Sequence, residues 1–279
     1  MPKQKGKDKK RKSTRTIAQT ADRYKLYLKA VQAPEHEVDF FNRVYKREYG
    51  SRPKLLREDF CGTYAICCEW VKSHKDCKAI GVDLDPEPLA WGQTHNFVKL
   101  KDEQQKRVTI YQADVREVNG TKADVLAAEN FSFWIFKTRP ALLEYFKAAY
   151  ANLKSKGVMV LDMMGGPECL EENHEDITEY KKFDYVWEQA RFDPITHDAL
   201  FHIHFRFKDG SEMKRAFTYD WRMWSIPEVR ELLAEAGFKR TDVYWEGTDK
   251  KTGEGNDVYT RRKHAPSDQA WIAYIVAAK

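Results

Sequence analysis

Residues 56–64 read LREDFCGTY, and an apolar run follows them. Leu55-Leu56 opens a short strand, and Glu58 stands at its carboxyl end. Cys61-Gly62-Thr63 makes a tight turn, and Ala65 to Val71 continues as a helix. A strand, a small-residue turn and a helix N-terminus together form a ligand cradle, because the first helical N–H groups have no partners within the helix. The glycine count decides what the cradle holds. A dinucleotide fingerprint uses three glycines so that backbone can approach a pyrophosphate. Here only Gly62 is present, with Phe60 and Tyr64 at the outer positions. A ligand without phosphates is the better fit.

Working outward, Lys78-Ala79-Ile80-Gly81-Val82-Asp83 predicts a second strand that ends in a carboxylate. An acid at that place in a βαβ unit can accept hydrogen bonds from ribose hydroxyls. Pro86 opens a helix expected to run to about Leu100. Val108 to Asp114 predicts a third strand, again ending in an acid, and Ala123 to Ala128 a fourth. A helix at about Thr138–Leu153 precedes a fifth strand, Gly157 to Asp162. Alternating strands and helices imply an α/β fold: a Rossmann-like, doubly wound, mostly parallel sheet with ligands at the strands' carboxyl ends.

Acids at the ends of three successive strands, with a single glycine turn, resemble the class I S-adenosylmethionine-dependent methyltransferases. The resemblance covers about residues 52–165 and resumes at 225–279, where Ser225 to Phe238 is similar to the family's late helix and its closing glycine. It implies S-adenosyl-L-methionine as cofactor. Glu58 then matches the acid near the methionine amino group, and Cys61, Gly62 and Thr63 match the turn. Asp83 matches the ribose-binding residue and Leu84 the apolar wall beside the adenine. Asp114 and Val115 match the pair at the adenine edge. Glu129, Asn130 and Phe131 match the segment facing the methyl group and substrate. The family usually has glycine where Phe60 and Tyr64 stand, which bears on the methionine end more than on the ribose and adenine contacts.

Residues 16–51 form a leading helical segment, broken by Pro34. Tyr24, Tyr27, Leu28 and Val31, then Phe40, Phe41, Val44 and Tyr45, recur at helical spacing. In methyltransferases of this type such a segment often lies over the cofactor. Tyr24 and Tyr27 are therefore candidates to cover a sulfonium, whose charge is attracted to aromatic faces; ordinary packing is the alternative.

Residues 166–224 predict an antiparallel β cap inserted after the fifth strand. Its first part, with six acids from Glu168 to Glu179, is expected to be a solvated loop or helix. Tyr185 to Phe192 is a strand, Asp193 to Asp198 a turn, and Asp209-Gly210 a hairpin turn before Lys214 to Trp221. Phe201, Ile203, Phe205 and Phe207 share one face of a strand and are expected to pack on the core. His202, His204 and Arg206 share the other, where they could bind a carboxylate or phosphate and a histidine could act as base; a simply solvated face is the alternative. Tyr219, Trp221 and Trp224 are candidates for an aromatic substrate wall, with ordinary packing as the alternative.

An apolar fraction of 42% supports a core, and no run of about 18 apolar residues predicts a membrane span. Five cysteines without C-x-x-C pairs point to a reducing, intracellular setting with neither disulfides nor zinc, and no metal is expected. Residues 1–15 carry +7, so the rest of the chain carries −2 of the net +5. That tail has almost no apolar residues and is expected to be a disordered basic arm, which leaves nuclear targeting open beside a cytoplasmic location. The favoured function is N- or O-methylation of a small molecule. Methylation of RNA or protein with the tail as docking arm, and a non-catalytic S-adenosylmethionine-binding protein, are the alternatives.

Overall fold

The computed structural model describes residues 15–249, 251–253 and 255–279. Three helices lead the chain: α1 (Ile17–Thr20), α2 (Arg23–Ala30) and α3 (Pro34–Tyr49). Asp22 caps α2 by accepting from the Tyr24 and Lys25 amides. Pro34 starts α3, and Gly50, in the left-handed region at φ 69°, ends it. The central units follow in order: β1 (Leu55–Asp59), α4 (Ala65–Ser73), β2 (Lys78–Asp83), α5 (Pro86–His95), α6 (Asp102–Gln105), β3 (Val108–Gln112), β4 (Ala123–Ala128), α7 (Arg139–Ala151) and β5 (Leu153–Gly165). Four strands come next, β6 (His174–Glu179), β7 (Phe183–Phe192), β8 (Asp198–Phe207) and β9 (Glu212–Arg222). The chain closes with α8 (Ile226–Glu235), β10 (Arg240–Thr248), β11 (Gly255–Arg262) and β12 (Trp271–Ala278).

The larger sheet runs β11-β10-β12-β5-β4-β1-β2-β3. β1 to β5 pair in parallel, and β12, β10 and β11 add antiparallel strands. Strand order reverses at β1, which pairs with β2 on one side and β4 on the other. A crevice opens at such a switch point, outside the carboxyl ends of the strands. The period of two along each strand feeds two cores. Leu126 and Ala128 face α7 and α8, with Leu142, Phe146 and Leu233. Val125 and Ala127 face α3 and α4, with Phe41, Ile66 and Trp70. All six side chains of β4 are buried, as a central parallel strand requires.

The second sheet, β6-β7-β8-β9, is antiparallel and sits between β5 and α8 in the chain, as the cap reading expected. Several details differ from expectation: β3 stops at Gln112, short of Asp114, and β5 extends over Leu153–Gly165. The acidic stretch is neither helix nor loop at 174–179 but the edge strand β6, held by its pairing with β7. The helix from Pro86 stops at His95, and a short 3-10 turn follows over Phe97–Lys99. Of the cap's apolar face, Phe201 joins the core beside α7 and α8. Ile203, Phe205 and Phe207 instead pack with Leu26, Tyr27, Ala30 and Val31, so α1 and α2 rather than the large sheet cover them.

The N-terminal helices therefore bridge cap and core. Ile17 N–H donates to Asp209, and Ala18 N–H to Ser211, both on the cap hairpin. On the other side Arg23 pairs with Glu87 at 2.6 Å, and Trp91 Nε1 donates to Asp22. The basic-tail expectation falls on residues 1–14, outside the described residues, and on Arg15. No helix among the described residues is long and apolar enough to cross a membrane.

Candidate functional site

The turn after β1 is built under strain. Phe60, Gly62 and Tyr64 all have positive φ, at 59°, 51° and 43°. Only glycine adopts that region freely, so two bulky residues there are outliers of the kind that cluster at ligand sites. Phe60 is held by packing against Phe136 and Tyr145. Tyr64 is buried, and its hydroxyl donates to Gln93 Oε1 at 3.2 Å. Gly62 faces open space: a Cβ placed there would meet no atom within 4 Å. Its N–H donates to Asp83 Oδ2 at 2.7 Å, which ties the turn to the end of β2. Asp83 Oδ1 also accepts from the Asp85 amide at 2.9 Å. Burial raises the Asp83 pKa despite these bonds. Leu84, next along, is an exposed leucine at a strand end, 67% accessible.

Glu58 turns inward. Its Oε2 accepts from the Cys67 amide at 3.0 Å in the first turn of α4, and burial pushes its pKa up to about 8. Cys61 is buried, and burial beside Glu58 and Asp83 raises its thiol pKa far above the ordinary range, which makes it a packing residue and not a thiolate. Thr63 Oγ1 is buried without a partner. Just past the end of β3, Asp114 is held below the ordinary carboxylate range by hydrogen bonds from Arg116. Val115 is buried, and its carbonyl accepts from Arg57 at 2.6 Å. Arg57 is the residue that the sequence reading passed over. It lies buried in β1, pairs with Asp59 at 2.7 Å, and also donates to the Val118 carbonyl. Asp59 in turn accepts from Tyr145. This network fastens the loop after β3 to β1.

A second strained pair follows β4, where Asn130 and Phe131 have φ of 57° and 55°. Asp162 of β5 accepts from both amides, at 2.7 and 2.8 Å, and so fixes their backbone. Burial lifts the Asp162 pKa to about 7. Glu129 is buried beside them with neither carboxylate oxygen hydrogen-bonded, and burial together with the nearby Glu37, Asp162 and Glu58 raises its pKa strongly. A buried carboxylate with no partner is costly, and it marks a place built for a donor that arrives from outside.

These strand ends open into a cavity of about 650 Å³. Asn130, Phe131 and Asp162 form its floor; Tyr27, His36 and Glu37 come from α2 and α3; Tyr185, Trp187, Ile203, Tyr219 and Trp221 come from the cap. Tyr219 and Trp221 stack at 4.4 Å between ring centroids. Burial pushes the Tyr27 hydroxyl up to about 12, so it stays protonated and serves as a hydrogen-bonding group. The structure thus places Tyr27, Asn130, Phe131, Tyr219 and Trp221 around one space.

Other expected substrate residues lie elsewhere. His202, His204 and Arg206 alternate with Ile203 and project from the opposite side of the cap, away from the cavity. His202 is hydrogen-bonded to Thr218, His204 to Glu188, and Arg206 is ion-paired with Glu175 and Glu212. Trp224 packs in the core with Arg222 over its ring. Tyr24 sits between Trp91 and Phe217, outside the cavity. Sequence patterning identified the two faces of β8 but looked for substrate contacts on the polar one, whereas the cavity lies on the apolar one, because an apolar face reads as core whether it meets protein or an aromatic-lined cavity. Glu37, His36 and Gln189 were missed outright; none belongs to a motif that would single it out from the other polar residues of its element.

No family model matches the chain. YqeM of Bacillus subtilis (strain 168), a protein with a provisional methyltransferase name, is 25% identical over 205 residues, spanning 68% of this chain and 75% of YqeM. CalS10 of Micromonospora echinaspora is an amino pentose methyltransferase of calicheamicin biosynthesis, solved with S-adenosylmethionine bound. It superposes with a TM-score of 0.64 at 17% identity, over 91% of this chain and 95% of CalS10. The sugar N-methyltransferase KedS8 of Streptoalloteichus sp ATCC 53650 superposes with a TM-score of 0.59 at 19% identity, over 90% of this chain and 91% of KedS8. The resemblance drawn from the strand-end acids is borne out: the chain has the fold of the class I S-adenosylmethionine-dependent methyltransferases.

Proposed function

We propose that the protein is an enzyme that transfers a methyl group from S-adenosylmethionine to a small-molecule acceptor held under the cap. The cavity carries this reading. Its volume of about 650 Å³ lies within the usual range of small-molecule sites, and it adjoins the strand ends where the fold places ligands. The residues fit the donor. Gly62 leaves open space for a close backbone approach, Asp83 offers carboxylate oxygens, Leu84 presents an exposed apolar surface, and Glu129 has two unused acceptors. Asp83 and Leu84 would hold the ribose and adenine, and Gly62 and Glu129 the methionine end. S-adenosylmethionine, when bound, supplies an electrophilic methyl carbon.

The chain's own contribution is placement. An in-line displacement needs its nucleophile about 3–3.5 Å from the carbon and aligned with the leaving bond, so positioning supplies much of the rate. Asp162 holds the Asn130-Phe131 backbone, and aromatic side chains of the cap line the acceptor space. The names of CalS10 and KedS8 describe methylation of sugars, which is in keeping with a small acceptor. The test is incubation of the full chain with methyl-labelled S-adenosylmethionine and a cell extract split by size. Label should enter the low-mass fraction. Label confined to RNA or protein would contradict the reading.

A further inference from the structure

The cavity has a one-sided chemistry. Its lining includes the carboxylates of Glu37, Asp162, Glu168, Asp176, Glu246 and Asp257. Among the described lining residues no lysine or arginine faces them, and His36 is the sole basic side chain. His36 is itself engaged: its Nε2 is hydrogen-bonded to the Asp257 carbonyl at 3.0 Å, and Nδ1 lies 3.9 Å from Glu37. The carboxylates do not converge on one point; among the described residues no three such side chains are grouped to hold a metal ion.

An independent observation shows what is missing. Gln189 lines the cavity at 4% exposure, and its Nε2 donates to the Glu168 carbonyl at 3.0 Å. That bond fixes which end of the amide is which, and it leaves Oε1 buried with no partner. The polar group left over, Gln189 Oε1, is an acceptor. A buried acceptor without a donor is unfavourable, so the ligand that completes this site brings an N–H or O–H donor, and the surrounding carboxylates favour positive charge. Trp187, Tyr219 and Trp221 supply aromatic faces along the same space, which attract a cation and not an anion.

We propose that the methyl acceptor is an amine that binds as its ammonium ion among these carboxylates. The proposal rests on the methyltransfer reading and narrows its substrate class. The floor also offers the proton acceptor that an amine needs. An ammonium nitrogen has no free electron pair, so one N–H bond must break before the nitrogen can act as nucleophile. The proton passes to the Asp162 carboxylate as its O–H bond forms, and the electron pair stays on nitrogen. Burial holds the Asp162 pKa at about 7, close to that required of a base that works near neutral pH. An anionic acceptor, carboxylate or phosphate, would meet carboxylates and no lysine or arginine among the described lining residues.

The test compares three probes of one shape: phenethylamine, phenethyl alcohol and hydrocinnamate. Each is titrated calorimetrically into the full chain, with S-adenosylhomocysteine binding measured first and separately. Phenethylamine should bind about tenfold or more tighter than the alcohol, and hydrocinnamate weakest of the three. Glu37→Gln and Asp162→Asn should each shrink that preference while leaving the melting curve cooperative. Alcohol or carboxylate binding as tightly as the amine would overturn the proposal. So would failure of all three probes to bind a chain that binds S-adenosylhomocysteine; the methyltransfer reading would then survive alone. An amine preference in a chain that does not bind S-adenosylhomocysteine would uphold the ammonium site and remove the methyl donor instead.

Discussion

Arg57 brings a charge into the middle of the sheet, and its task there is to hold a loop. Its guanidinium bonds Asp59 and the carbonyls of Val115 and Val118, so every contact runs to β1 or to the segment after β3. Removing one member of such a buried set strands the other charge, at a cost of about 3–5 kcal/mol. Arg57→Ala should therefore lower unfolding free energy by about that amount, measured by urea denaturation; a loss under about 1 kcal/mol would show the pair to be dispensable. Asp162 carries a second prediction. Its pKa is raised by burial to about 7 in the folded protein, against 3.8 for the free side chain. The folded state thus holds a proton that the unfolded chain gives up, and this group's contribution to stability falls as pH rises from about 4 to 7, then levels off. Asp162→Asn removes that group, so the variant's melting temperature should decline less steeply than the wild type's across this window. Parallel curves would contradict the assigned pKa.

Elements meet at the turn, where α5 comes close enough to β1's loop to exclude a side chain. A Cβ on Gly92 would lie 2.5 Å from the Thr63 carbonyl oxygen and 2.6 Å from the Tyr64 ring. Backbone cannot yield there as a flexible side chain could. Gly92→Ala should cost about 1–3 kcal/mol and weaken S-adenosylhomocysteine binding, because the turn must shift. Gly120, with no atom within 4 Å of a built Cβ, is the control and should tolerate alanine. If both variants melt alike, helix and turn are not in contact as described. The same scale shows what could be read beforehand. β2 and β4 were legible to the residue, because each is an apolar run bounded by turn residues. β6 was not: five of its six side chains are exposed, so no alternation marks it, and only its ladder with β7 makes it a strand. β11 is exposed at seven of eight positions for the same reason, as the sheet's edge. At the site, the strand-end acids were legible from their spacing. The cavity was not, since Glu37 of α3, Asp162 of β5 and Gln189 of β7 meet through folding alone.

Across the whole molecule, the N-terminal helices tie cap to core, with α1 and α2 bonded to the cap hairpin and to α5. Melting of this segment should open the cavity, since Tyr27 and Glu37 form part of its wall. The basic residues before it stand apart by composition, with +7 in fifteen positions and almost no apolar area to bury. A chain shortened to begin at Thr16 should keep its melting temperature and cofactor affinity and lose retention on heparin, an effect that salt would screen. A large fall in melting temperature would mean that these residues dock on the folded body.

S-adenosylmethionine is proposed to sit at the carboxyl ends of β1 and β2, held through Asp83. Calorimetric titration of S-adenosylhomocysteine into the wild-type chain and Asp83→Ala puts this to the test. The wild type should bind one molecule per chain. The variant, having lost a charged acceptor worth about 1.5–3 kcal/mol per hydrogen bond, should bind at least about tenfold more weakly. Equal affinity in the two proteins, or no binding to the wild type, would contradict the account.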